Sequence, residues 1–568
     1  LYPPGCILPN VPCQTSTCRL DPVVTASVVC GFHFLHEGAT QLNVAALLQR
    51  SASFLGARPA LAVGEVVVAD YAKFSDWVHS LAGALRTELG LNAGDRCGIA
   101  MSNTPEIMVI MFACWHANIV AVPMNAKLHR RELQYILDNA GARACFFNDK
   151  VQDALGGLDA EVPTLEHLIN VNAPRYASLL EHTALPLQDA APDDSAWLFY
   201  TSGTTGRPKG AVVSHRALVG FVQTNTMHGL ERVLLAGKLG DAPAADATAP
   251  PAPAALITAP LFHLSGLYTG GIMMLATGVK TVYRTGRFDP EDVLRLIEKE
   301  NVTIWSALGS MGPQVVSHPS LDKFDLSSMR NVGFGGAPTS PALQEKMRKA
   351  FPNSSKNLGL GYGLSESGGL GSGIGGRELN LRPTSVGRAS VTNEIQIRDE
   401  DGKVVPDGTY GEIHLRSPYL MIEYWNNPKA TAETIKPGRW LATGDVGRLE
   451  DGYLFINSRA RDMILRAAEN VYPIEIEHRI DAHPDVAESA VIGVDHELLG
   501  QEVKAVVVVQ AGTSPTEKAL HAWVGERLAS FKVPSLWEIR SEPLPRNASG
   551  KVLKKVLTGE SEDDLIDE

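Results

Sequence analysis

From about residue 41 onward, helical patterns alternate with short β-branched runs, and this alternation constrains the fold more than any other feature of the chain. Tyr71–Leu89 reads as a helix, Cys97–Met101 as a strand, Pro105–His116 as a helix and Ile119–Pro123 as a strand. That order belongs to parallel sheets covered by helices, because a parallel crossover needs a long connection and a helix supplies it. The apolar run Ile107–Met124 could pass for a membrane span, but His116, Asn118 and Pro123 interrupt it and its 18 residues barely reach across a bilayer. A buried helix running into a buried strand is expected there.

After about residue 380 the pattern turns strand-rich, with strands at Glu394–Arg398, Gly411–Arg416 and Tyr453–Ile456. A boundary falls near Asn457–Asp462. Beyond it a compact α+β unit contains strands Ala487–Val494 and Lys504–Gln510. Its helix is expected to open at Ser514-Pro515, a cap followed by proline at the first helical position, with Leu520, Val524, Leu528 and Phe531 on its buried face. The expected fold is α/β: a large N-terminal domain of helix-covered, mostly parallel sheets with a β-rich subdomain, and a small mobile α+β C-terminal lid. The boundaries read 41–457, a hinge at 458–462, 463–557 for the lid and 558–568 for an acidic tail. Residues 1–40 read as an extension, disordered or artefactual, with no role assigned. Residues 241–255, with eight Ala and four Pro, read as a flexible surface excursion with nothing to anchor a core.

Charge and cysteine content exclude several classes. The net charge of −12 argues against nucleic acid as the main partner, and half of it lies in the last ten residues. Seven cysteines in 568 residues are no disulfide scaffold. Cys97, Cys114 and Cys145 sit in apolar surroundings and are expected as buried thiols, while Cys6, Cys13, Cys18 and Cys30 contain no C-x-x-C pair. The first 40 residues lack the charged and apolar regions of a secretory signal. The expectation is a soluble cytoplasmic protein without stable membrane insertion.

Chemistry is concentrated in residues 200–210, Tyr-Thr-Ser-Gly-Thr-Thr-Gly-Arg-Pro-Lys-Gly, directly after the apolar stretch Trp197–Tyr200. Three glycines, four Ser/Thr hydroxyls and two cations in eleven positions offer backbone N–H groups, hydroxyl donors and positive charge to an anion such as a polyphosphate. The Walker A spacing fails, since Pro208 stands where a glycine should precede Lys209. Further pieces follow in order: Pro260-Leu261-Phe262-His263, Gly335-Gly336-Ala337-Pro338, and Gly361-Tyr362-Gly363-Leu364-Ser365-Glu366. Then come Thr443-Gly444-Asp445, Arg459-x-Arg461-Asp462 leading to Glu469-Asn470-Val471-Tyr472-Pro473, and Pro545-Arg546-Asn547-Ala548-Ser549-Gly550-Lys551. Gly371-Ser-Gly373-Ile-Gly-Gly376 also matches G-x-G-x-x-G, but no helical pattern follows it, so the dinucleotide reading is set aside.

Together, over roughly residues 41–557, these pieces resemble the adenylate-forming superfamily of acyl-CoA synthetases, luciferases and peptide-synthetase adenylation domains. The resemblance implies that a carboxylate attacks the α-phosphate of ATP to give an acyl-adenylate and pyrophosphate, so cations and donors should dominate the site. It assigns Thr201, Ser202, Gly203, Thr204, Thr205, Gly206 and Lys209 to the phosphates. Glu366, with Thr205 as a further ligand, would hold Mg²⁺, and Ser365 keeps a hydroxyl where the family usually has threonine. Gly335, Gly336 and Tyr362 would form the adenine slot, Ala337, Pro338, Gly361 and Gly363 would share in binding ATP or AMP, and Asp445 and Arg459 would make the ribose contact. Lys551 is the expected adenylation catalyst, with Lys209 and His263. His263, Gly266, Trp305, Gly309, Ser310 and Gly335 would border the acid pocket, although Trp305 reads more readily as simple core.

Two departures bear on a second half-reaction with coenzyme A. The hinge position before Asp462 carries Arg461, where the family usually has Asp or Lys. Ala467-Ala468, beside Glu469, stand where many relatives that use coenzyme A have Gly-Gly along the pantetheine tunnel. The reading is therefore an acid–CoA ligase acting on a medium- or long-chain fatty acid, with ATP, Mg²⁺ and coenzyme A required and a homodimer compatible with it. An aryl or alicyclic acid, or a separate carrier protein as acceptor, are the alternatives. A silent nucleotide-binding homologue is the rival from another class.

Overall fold

The computed structural model describes residues 42–201, 208–238, 252–308, 311–334, 339–355, 357–459, 462–466, 469–496, 499–546 and 551–559. The expected extension at 1–40 and the acidic tail fall outside them. Two sheets form the large domain. In the first, strands His167–Asn170, Ala142–Phe147, Arg96–Ala100, Val120–Met124 and Ser195–Thr201 run parallel, and Lys209–Ser214 closes the edge antiparallel to Ser195–Thr201. In the second, Pro59–Val63, Lys280–Tyr283, Ala254–Ile257, Ile304–Ser306, Asn331–Phe334 and Leu358–Tyr362 lie side by side and parallel. That sheet continues antiparallel through Ser372–Gly375, Gly387–Ala389, Tyr453–Arg459, Trp440–Glu450, Gly411–Arg416 and Glu394–Arg398. The switch from parallel to antiparallel is the β-rich region expected after residue 380.

Local chemistry sets the elements. The helix Tyr71–Thr87 starts where Asp70 accepts the Lys73 N–H at 2.8 Å. Arg130–Ala140 has a reciprocal cap between His129 and Glu132, and ends at Gly141 with φ 61°. The apolar run that could mimic a membrane span is the helix Glu106–His116 followed by the fully buried strand Val120–Met124. No helix among the described residues is long and apolar enough to cross a membrane. The main core joins the elements through edge-on aromatic contacts, Phe74–Phe112 at 5.8 Å, Phe112–Trp115 at 5.1 Å and Trp197–Tyr268 at 4.8 Å. Cys97 and Cys114 are buried thiols in the main core of this domain and Cys145 is one in a second core.

The small C-terminal domain has one sheet, in the order Glu469–Val471, Ile464–Arg466, Gly500–Val509, Val486–His496, with Leu536–Arg540 parallel to Gly500–Val509. Strand alternation divides its two faces. Val491, Val503, Ala505 and Val507 pack with Ile476, Ile480, Leu520 and Val524 of the helices Pro473–Asp481 and Glu517–Gly525. Ala490, Val506 and Val508 face the other way and bury Leu544, with Val552 and Leu557 against them.

Three local expectations need correction. The helix expected at Ser514-Pro515 opens two residues later, with Thr516 as its cap (Oγ1 accepts the Ala519 N–H at 3.2 Å), and Leu528 and Phe531 lie beyond its end. Ala254 and Ala255, placed in the surface excursion, begin a buried strand between two others, and the rest of that excursion up to Pro251 lies outside the described residues. A six-residue helix, Gly376–Leu381, does follow Gly371–Gly376. Its strand, Ser372–Gly375, runs antiparallel to both neighbours, so the parallel unit that a dinucleotide site requires is absent there.

Candidate active site

Open α/β sheets bind ligands beyond the carboxyl ends of their parallel strands, and the sequence motifs occupy those ends. Four adjacent strands of the second sheet each lead into one: Ala254–Ile257 into Pro260–His263, Ile304–Ser306 into 309–310, Asn331–Phe334 into 335–338, and Leu358–Tyr362 into Ser365-Glu366. Gly309, Ser310, Gly335, Gly336, Ala337 and Pro338 themselves lie outside the described residues, as do Ser202, Gly203, Thr204, Thr205, Gly206, Arg461, Ala467 and Ala468.

The phosphate-loop candidate closes a hairpin. Thr201 pairs with Lys209, so the ladder ends at the loop's two roots. The Lys209 ammonium stands 5.5 Å over the ring of Tyr424. The Tyr424 hydroxyl donates to Glu366 Oε1 at 2.7 Å. Burial and the neighbouring Glu366 carboxylate push that phenol's pKa up, so it stays a donor. The segment around Tyr424 is sewn onto the strand after the loop: Ile422 N donates to Val212 O (2.8 Å), Val212 N to Glu423 O (2.9 Å) and Trp425 N to Gly210 O (2.8 Å). One tyrosine thus bridges the expected phosphate cation and the expected metal carboxylate. Sequence reasoning missed it, because it lies 58 positions beyond Glu366 and carries no local motif.

The Thr443-Gly444-Asp445 turn is built as a hydrogen-bonded chain. Thr443 Oγ1 donates to Ile413 O (2.8 Å) and accepts the Asp445 N–H (3.1 Å), while Glu412 accepts the Gly444 N–H at 3.0 Å. Gly444 has φ 71°, where a side chain would be strained. The buried Asp445 accepts the Tyr362 hydroxyl at 2.7 Å and faces Arg459 across the ladder. Tyr362, expected to stack on adenine, therefore also orients the expected ribose carboxylate.

His263 sits in the turn after Ala254–Ile257, its N–H donating to Pro260 O (3.1 Å) and its carbonyl accepting the Leu267 N–H (3.0 Å). Asn103 braces this turn from the first sheet, donating to Ala259 O (2.7 Å) and accepting the Leu261 N–H (2.9 Å); it too has no local signature. Gly266 starts a π-helical segment, Gly266–Ile272, a rare form that is frequent at functional sites. A Cβ on Gly266 would meet the Pro260 carbonyl oxygen at 2.2 Å. Burial, then the charge of Lys551, push the His263 imidazole down to about 4. The charge of Lys551, from the C-terminal domain, is thus felt at His263 in the large domain.

Beside His263 lies a narrow uncharged slot lined by Ile257, Gly266, Thr269, Gly270, Met274 and Ile304, among others, with an open volume of only about 10 Å³. Trp305 is not on it. Alternation along Ile304–Ser306 sends Ile304 and Ser306 to the slot and Trp305 to the opposite core, where it is fully buried. Only its indole N–H reaches back, to Thr258 Oγ1 at 3.0 Å. A wider groove of about 420 Å³ opens at Asp407, Glu450 and Asp451, at the turn end of the hairpin whose other end carries Asp445; nothing in it resembles the chemistry above.

Among the described residues no cluster of three His, Cys, Asp or Glu could cage a metal. A single carboxylate suits Mg²⁺ carried in with a nucleotide, since this ion is commonly held by one or two carboxylates and substrate phosphates. Glu366, half-buried and already oriented by Tyr424, fits that role.

The comparisons agree with this geometry. The AMP-binding enzyme family matches residues 48–425, and the AMP-binding enzyme C-terminal domain matches 475–551. The chain belongs to this family: it is an adenylate-forming enzyme, a ligase. It is 33% identical over 487 residues to a fatty acid–[acyl-carrier-protein] ligase, ScoC, of Streptomyces coeruleorubidus, covering 84% of this chain and 89% of the relative. It is 34% identical to a feruloyl-CoA synthase of an Amycolatopsis species, over 85% and 92% of the two chains. A solved Mycobacterium tuberculosis fatty acyl CoA synthetase superposes with a TM-score of 0.67 at 30% identity, over 92% and 99%.

Proposed function

We propose that the protein joins an apolar monocarboxylic acid to the thiol of coenzyme A in two steps, through an acyl-adenylate, and that the acid is a medium- or long-chain fatty acid. The observation that carries this reading is the uncharged slot that includes Gly266, three residues after His263, whose imidazole feels the charge of Lys551. Among the described residues its lining offers no cation for a second carboxylate and no aromatic face for an aryl ring. Met274, unbranched and adaptable, is the wall that an entering chain would displace. In the first step the acid's carboxylate attacks the α-phosphate, adenylate forms and pyrophosphate leaves. Lys551 stabilises charge developing between these two anions, an effect worth roughly 10²–10³-fold for one preorganised donor. Lys209 holds the departing phosphates and Asp445 the ribose hydroxyls. Magnesium, when bound at Glu366, neutralises phosphate charge. His263, kept neutral, adds no competing positive charge beside Lys551.

Carrier-protein loading is the second reading, favoured by the name of the Streptomyces relative and by Ala467-Ala468. Both are tested by pyrophosphate release over a panel of aliphatic and aryl acids, with and without coenzyme A, with products weighed by mass spectrometry. Thioester that forms only with coenzyme A and an aliphatic acid supports the proposal. Acyl-adenylate that accumulates despite coenzyme A overturns it in favour of a carrier protein, and selectivity for aryl acids overturns the fatty-acid assignment.

A further inference from the structure

The segment that carries Lys551 folds back on itself. Arg546 bridges to Val552, and Leu553 N donates to Pro545 O at 2.9 Å. Each arm of this hairpin is held by its own glutamate on the neighbouring elements. On the arm before Lys551, Glu488 accepts the Leu544 N–H at 3.0 Å and pairs with Arg546. On the arm after it, Lys554 donates to Glu477 Oε1 at 2.7 Å and to Val491 O at 2.9 Å, and Glu477 also accepts the Val491 N–H at 2.9 Å. Half-buried Val552 packs against Ala490, Val506 and Val508 between these two ties. Side chains in both pairs are at most 24% exposed, so solvent screens them less than ordinary surface pairs.

We propose that Glu477 and Glu488 are positioning residues for Lys551: two ion pairs, one on each side, fix the backbone from which the lysine reaches the reacting carboxylate and phosphate. Neither glutamate touches substrate. A lysine has a long, rotamer-rich side chain, so its root must be held if its ammonium is to be preorganised. A misplacement of 1 Å can cost about 10²-fold in rate. The pairs lie wholly within the C-terminal domain, so the clamp travels with that domain and acts only where Lys551 acts.

This inference rests on the adenylation role of Lys551 proposed above, and the test separates the two. Glu477→Gln and Glu488→Gln are made in the full chain, alone and together with Lys551→Ala. Two rates are read: pyrophosphate release with the panel acid that the unaltered protein uses fastest, and thioester formation from that acid's synthetic adenylate and coenzyme A. Each glutamate substitution is expected to lower the first rate by roughly 10–100-fold, leave the KM for ATP near its original value and spare the second rate. In the Lys551→Ala background neither should add a further loss, because no ammonium is left to misplace. The exchanged pair Glu488→Arg with Arg546→Glu restores the ion pair but not the Leu544 N–H acceptor, so it should recover part of the adenylation that Glu488→Arg alone loses, which also guards against a simple folding defect. Equal losses with and without Lys551, or a parallel fall of both rates, would overturn the positioning role. Unchanged adenylation in Lys551→Ala alone would instead overturn the reading beneath it.

Discussion

Lys551, from the C-terminal domain, bears electrostatically on His263 in the large domain, adding to the burial that already holds the imidazole neutral. The two domains therefore share a charge environment at His263, and a titration can report it.

Lys551→Ala should raise the His263 pKa from about 4, while leaving it below 6.5 because burial is the larger cause. An NMR titration of the imidazole checks this; no change on removing the lysine would mean that the two do not meet in solution. The stability consequence has a definite sign. The unfolded imidazole takes a proton near 6.5 and the folded one resists until about 4, so the contribution is full above 6.5 and is lost as pH falls toward 4. Acid unfolding midpoints of the parent and of His263→Gln would show it, the variant losing less stability across that window.

Tyr424→Phe keeps the ring under Lys209 and removes only the hydrogen bond to Glu366. Bonds to charged groups are worth about 1.5–3 kcal/mol. The expected result is a roughly ten-fold or greater drop in kcat/KM for ATP, with a shift to higher Mg²⁺ requirement. A magnesium titration of pyrophosphate release that superposes on the parent's would refute this.

Tyr362→Phe should act differently. It removes the 2.7 Å bond that helps to orient the Asp445 carboxylate. The KM for ATP is expected to rise about five-fold or more, in line with one lost charge-assisted bond. The KM for the acid should stay put, since the slot lies on a different strand end; initial-rate kinetics in both substrates decide it.

Gly266→Ala drives a methyl group into the Pro260 carbonyl, with 2.2 Å between them, and backbone cannot step aside as a flexible side chain would. A loss of about 1–3 kcal/mol is expected from overpacking, together with a displaced His263 turn. Thermal melts alongside pyrophosphate release test both parts, and an unaltered melt would show that the turn yields.

The alternation of helices and strands was legible because periods of two and 3.6 are local properties. Glu394–Arg398 and Gly411–Arg416 come out with the bounds read from sequence. The motifs were legible because glycine, proline and hydroxyl residues cluster where parallel strands end. Other features are settled by distant contacts. Ala254 and Ala255 have little strand preference of their own and are buried only because Lys280–Tyr283 and Ile304–Ser306 flank them. Thr516 and Ser514 are both competent caps two residues apart, and sequence cannot rank them. Tyr424 and Asn103 reach the site from other parts of the chain, through hydrogen bonds that no spacing announces.

The Thr201–Lys209 pairing has a consequence for how the site tolerates change. Lys209 is rooted in a ladder, with Ser195–Thr201 on one side and the Tyr424 segment sewn to the other. The root of its side chain is thus a fixture of the sheet, held from both sides. Substitutions confined to residues 202–207 should therefore leave the ladder that carries this lysine in register.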